Sequence, residues 1–69
     1  MPWAGIEDLP ASLRERLPVH AQEIFLAAFN AAWRQHAHAP DVEATAHRIA
    51  WGAVKRRYRK RGDVWVARD

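Results

Sequence analysis

The chain has 69 residues, no cysteine, and 11 Lys or Arg against 8 Asp or Glu, for a formal net charge of +3. That length predicts one domain over 1–69, able to bury only about 60% of the surface its unfolded chain exposes, and therefore a thin core. The missing cysteines exclude a disulfide framework or thiolate metal site and fit a cytoplasmic protein; no apolar run approaches the ~20 residues of a membrane span and no basic-then-apolar leader opens the chain, so the reading is neither spanning nor exported.

Two Leu-Pro pairs, Leu9-Pro10 and Leu17-Pro18, punctuate the first third. Proline suits a helix's first turn and pushes its predecessor toward extended geometry, so each pair reads as a corner followed by a helix start. "PASLRER", 10–16, is then a short helix, with Leu9, Leu13 and Leu17 on one side. A second helix is predicted from about Val19 to about Ala37. At 100° per residue, Ile24, Phe25, Leu26, Ala28, Phe29, Ala31, Ala32 and Trp33 cover an arc of roughly 220°, leaving Glu23, Ala27, Asn30 and Arg34 as a narrow strip. A helix that apolar must be covered on several sides, which makes it the central, most buried element.

"HAHAPD", 36–41, breaks the pattern, and Pro40 with Asp41 and Glu43 marks a third helix from about Pro40 to about Tyr58. Val42, Ala46, Ile49, Ala50 and Ala53 face one way, with His47, Trp51, Val54 and Tyr58 as an adjoining stripe. Gly52 in mid-helix costs about 1 kcal/mol relative to alanine, so it marks either close packing or an exposed position. The tail "DVWVARD" alternates and is β-branched after a Gly-Asp turn signal. It reads as an extended segment with the start "MPW" as partner, a short two-stranded β-ribbon joining the termini and bringing Trp3 near Trp65. The predicted fold class is mainly α: a compact three-helix domain plus that ribbon.

Reactive constellations are sparse. His36 and His38 stand two apart with Asp41 nearby, while His20 and His47 are isolated, and two neighbouring imidazoles do not specify a metal site. His47 reads as a border-of-core histidine hydrogen-bonded through one nitrogen. Ser12 has no base or oxyanion partner beside it, and no glycine-rich phosphate loop exists. The expectation is a non-enzyme with no cofactor and no metal.

Charge carries more information. Residues 1–47 hold three basic and six acidic side chains, net −3, whereas 48–69 hold eight basic and two acidic, net +6. Six of the eleven cations lie within 55–61. Cations near a helix C-terminus stabilise it by about 0.3 to 1 kcal/mol each and only within the last turn, which accounts for two or three of the six. If the third helix persists to 61, Arg48, Lys55 and Arg59 fall within about 40° of one another with Arg56 and Lys60 alongside, a continuous basic face. Arg48, Lys55, Arg56, Arg59, Lys60 and Arg61 are therefore the candidate partner-binding residues. The partner expected is an acidic protein surface. The alternative is a nucleic acid held through its phosphates, since no Asn or Gln lies beside the run to read base edges.

Two blocks together, "DLPASLRERLPVHAQEIFLAAFNAAW" at 8–33 and "EATAHRIAWGAVKRRY" at 43–58, resemble the ChaB family of small bacterial proteins, and Trp65 matches a late tryptophan of that family. The resemblance implies a compact, mainly helical regulatory or adaptor protein that modulates sodium or calcium/proton exchange through a cation antiporter, contacted at a cytoplasmic segment. Family members beside nucleic-acid-binding domains keep a DNA-associated role in view. The chain departs from the family pattern by a shorter, less acidic connection, "RQHAHAPDVE", and by a more basic, more apolar ending. The matching residues Phe25, Phe29, Trp33, Ile49 and Trp51 all read as core.

Overall fold

The computed structural model describes residues 2–68; Met1 of the "MPW" start and the final Asp69 lie outside the described residues. A 3-10 turn at Ile6–Asp8 leads into three α-helices, α1 (Ala11–Arg16), α2 (Val19–Gln35) and α3 (Val42–Arg57), followed by strands β1 (Tyr58–Arg61) and β2 (Val64–Ala67). The three-helix architecture and the presence of a two-stranded antiparallel sheet match expectation.

Each Leu-Pro pair makes the corner its chemistry demands. Pro10 and Pro18 occupy the positions ahead of α1 and α2 with extended ψ of 144° and 159°. Leu9, Leu13 and Leu17 are all buried, so the short first helix is held by one leucine face, not by its own length. Its open carbonyl end is closed by a side chain: Gln22, buried in α2, donates from Nε2 to the Leu17 oxygen at 2.8 Å and to the Arg14 oxygen at 3.3 Å. A polar residue is tolerated in the core here because those carbonyls would otherwise lack donors.

Helix α2 is central. Ala21, Phe25, Phe29 and Ala32 form its buried line, with Phe25 and Phe29 fully enclosed, each contributing about 1.5 to 3 kcal/mol by area. Against them lie Ala46, Ala50 and Val54 of α3, all at 0% exposure. Small residues on one helix facing rings on the other give close approach without voids. The rings continue as a row: Trp33 stacks on Phe29, Phe29 on Phe25, Trp51 meets Phe25 edge-on at 5.4 Å, and Trp65 lies 5.4 Å from Trp51. His47 sits edge-on to Phe25, Phe29 and Trp3 at the border of this row.

Several expectations need correction. The ribbon does not join the termini: β1 pairs with β2, Tyr58 opposite Ala67 and Arg61 opposite Val64, closing a hairpin over Gly62-Asp63. Gly62 has φ of +65° and no other described residue a positive φ, the arrangement of a type II′ turn, whose twist suits a hairpin. Trp3 instead packs 4.3 Å from Phe29. It is fixed by Asn30, whose Oδ1 accepts from the Trp3 N–H at 3.1 Å and whose Nδ2 donates to the Trp3 carbonyl at 2.8 Å. That carboxamide does for residue 3 what a neighbouring strand would, so Asn30 does not belong to the solvent strip. Ile49 is 40% exposed, outside the core, and Gly52 has open space where a Cβ would stand. Pro40 lies in the turn before α3, which starts at Val42, and α2 stops at Gln35.

Candidate functional site

The basic run is divided by a change of backbone. Helix α3 stops at Arg57, and Tyr58 is extended at φ −133°, ψ 154°, because its ring enters the core and its hydroxyl hydrogen-bonds His20 Nδ1 at 3.1 Å. The continuous helical face over 48–61 therefore does not form. Arg48, Lys55 and Arg56 are exposed on α3, the latter two in its last turn with Arg57, while Arg59, Lys60 and Arg61 are exposed on β1.

Pairing decides where the strand cations point. Alternate residues take opposite faces, so Tyr58, Lys60, Trp65 and Ala67 share one side of the ribbon and Arg59, Arg61, Val64 and Val66 the other. Tyr58 and Trp65 anchor the first side on the helices through His20 and Trp51. The second side thus turns away from the helices, presenting two guanidinium groups beside Val64, which is 55% exposed. At the root of the ribbon, the Arg68 N–H donates to the Arg57 oxygen at 2.8 Å and its Nε donates to the Lys55 oxygen at 2.7 Å. With the Tyr58 N–H on the Val54 oxygen, three of the four orphan carbonyls of α3 gain donors. Arg68 and Arg57 escaped the sequence reading. The signal for Arg57 was present in its place within the charge run at 55–61; that for Arg68 depended on the hairpin, which alone returns residue 68 to α3.

The remaining candidates do not converge. His36 and His38 are exposed in the turn after α2, His20 serves Tyr58, and no group of three His, Asp or Glu side chains gathers among the described residues. No described helix is long and apolar enough to cross a membrane. The surface depressions include a groove of about 370 Å³ between α2 and α3 lined by Ala28, Ala31, Ile49, Gly52 and Arg56 among others, one of about 330 Å³ lined by Ile24, Ala53, Arg56 and Arg57, and one of about 370 Å³ lined by Glu15, Arg16, Lys60, Asp63 and Val64.

Comparison with known proteins gives a consistent result. The family model ChaB matches residues 9–68. Proteins named "Putative cation transport regulator ChaB" from Escherichia coli strain K12 and from Shigella flexneri are each 45% identical over 69 residues, covering 91% of this chain and 91% of theirs. A solution NMR structure bearing the same ChaB name superposes with a TM-score of 0.85 at 41% identity, over 99% of this chain and all of that one.

Proposed function

The chain belongs to the ChaB family, and from that premise we propose that it is a non-catalytic regulator of cation transport which works by seating its basic C-terminal surface on an acidic segment of a partner protein. A cytoplasmic segment of a cation antiporter is the partner this reading names. The observation that carries it is the exposure of Arg48, Lys55, Arg56, Arg59, Lys60 and Arg61 across α3 and the ribbon. Helix-end stabilisation accounts for Lys55, Arg56 and Arg57 alone. The strand cations contribute nothing to a helix terminus, and like charges this dense disfavour the folded chain unless something anionic is met.

Duplex nucleic acid is the weaker fit. Asp63 stands at the ribbon's tip and the outward side sets its arginines beside the exposed Val64, whereas a phosphate-led surface gains from cations without carboxylate or exposed valine. The test is capture of purified antiporter cytoplasmic segments by the wild-type chain and by the Lys55→Glu, Arg59→Glu variant. Capture lost with the circular dichroism unchanged supports the reading. Undiminished capture removes this surface from it, and tight binding of arbitrary duplex DNA that collapses as salt rises transfers the surface to nucleic acid.

A further inference from the structure

We propose that the partner is held as a third strand: an extended acidic segment of another protein adds along the outer edge of β2. This rests on the basic-surface reading and specifies its geometry. The sheet has only two strands, β1 and β2, so each has an unpaired side. The bond from the Arg68 N–H to the Arg57 oxygen sets the phase of the ladder. Hydrogen-bonded and non-hydrogen-bonded pairs alternate in an antiparallel ribbon, so 59/66 and 61/64, in phase with that single bond at 57/68, are the hydrogen-bonded pairs, while 58/67 and 60/65 are not. The N–H and C=O groups of Trp65 and Ala67 therefore point away from β1, and they have no hydrogen-bond partner among the described residues.

The edge of β1 is less open to an acidic strand. Its Tyr58 N–H is already given to the Val54 oxygen, and Glu15 of α1 lines the groove beside Lys60. That groove also takes in Asp63 and Val64, so its carboxylates stand at the turn end of the ribbon, and Trp65 and Ala67 of β2 do not line it. Along β2 the adjoining side chains on the outward face are Val64 and Val66, with Arg61 across from the turn end and Arg68 at the far end. The occupant that fits is a segment of about five residues, roughly 17 Å long. It carries β-branched side chains opposite the valines and carboxylates toward its ends. Backbone bonds supply attachment and the alternate side chains supply selection, the mode by which exposed sheet edges take up peptides.

The test uses the full chain, 15N-labelled, and three synthetic peptides of one sequence, with valines at the positions that would face Val64 and Val66 and glutamates at both ends. One is unmodified, one is N-methylated at the amides that would face β2, and one is stapled as a helix. The proposal expects the unmodified peptide to bind and to protect the Trp65 and Ala67 amides from exchange, with affinity for the other two lower by about tenfold or more, the equivalent of one or more lost hydrogen bonds. Ala67→Pro should also abolish binding while sparing the hairpin, since that N–H is not used within the ribbon and proline is accepted on a free edge. If A67P loses its fold, the N-methylated peptide decides. Equal binding of all three peptides overturns strand addition and leaves the basic-surface reading standing. No binding of any acidic peptide at about physiological ionic strength defeats both. Concentration-dependent protection of Trp65 and Ala67 without peptide gives the edge to a second copy and also overturns the proposal.

Discussion

Replacing Asn30 by alanine should destabilise the protein although the change improves helix propensity. The two effects oppose each other with comparable size. Alanine is favoured over asparagine inside a helix by about 0.6 kcal/mol. Against this stand two hydrogen bonds of the carboxamide, 3.1 Å from the Trp3 N–H and 2.8 Å to its carbonyl, worth about 0.5 to 1.5 kcal/mol each in net terms. Their sum of about 2 kcal/mol, less the propensity gain, leaves a loss of about 1.5 kcal/mol. For a domain of 69 residues the total stability is of order 3 to 10 kcal/mol, so the loss is readily measured. Urea denaturation followed by circular dichroism should show the midpoint falling by roughly 1 M. A chain lacking residues 1–4 supplies the control. With Trp3 gone, Asn30→Ala should become neutral or stabilising by about half a kcal/mol, because only propensity remains. A full-length Asn30→Ala protein as stable as wild type, or an equal loss in the truncated chain, would refute the clamp.

The two glycines late in the chain should respond with opposite signs. Gly52→Ala gains about 1 kcal/mol, since a Cβ there meets nothing within 4 Å in mid-helix, whereas Gly62→Ala loses about 1 to 2 kcal/mol to its positive φ; thermal melts of the pair decide it. Tyr58→Phe deletes the bond to His20 Nδ1 and should cost about 1 kcal/mol, with the His20 ring resonances shifted in NMR spectra; an unmoved ring would contradict the contact. Gln22→Met leaves the Leu17 and Arg14 oxygens without that donor and should cost about 1 to 3 kcal/mol, read as faster amide exchange confined first to residues 11–16.

What the sequence revealed followed from rules acting over one or two turns. Proline restricts its own φ and its predecessor, so the corners before α1 and α2 are local facts, and three leucines at intervals of four mark a face without knowledge of what covers it. The periodicity of α2 likewise named Phe25 and Phe29 as core. Errors arose where a residue's partner lay far along the chain. Asn30 looked like a solvent position because nothing near it announces Trp3, and Gln22 was passed over because its carbonyls belong to another helix. The hairpin was misjudged differently. "RGDVWV" holds its own turn signal, but Lys and Arg are good helix formers, so the third helix reads on to about Tyr58 with the run to 61 open to extending it, and the tail is left to pair with the start of the chain. The competing force was the burial of Tyr58 and Trp65, each worth more than the few tenths of a kcal/mol that propensity offers. Exposure of the six candidate cations was legible from composition; their division between helix and strand was not, because it follows from where one tyrosine ring finds a cavity.

Tryptophan contacts give the ribbon an optical signature. The Trp51 and Trp65 ring centroids are 5.4 Å apart with planes 35° from parallel, one on α3 and the other on β2. Two indoles that close share their electronic excitation, producing a paired positive and negative band in the ultraviolet circular dichroism that neither produces alone. The band requires β2 to lie on α3, so its amplitude registers lifting of the hairpin while helical signal elsewhere stays intact. Attachment of the C-terminal strands to the helices is thereby observable in unlabelled protein, with no dye or isotope introduced.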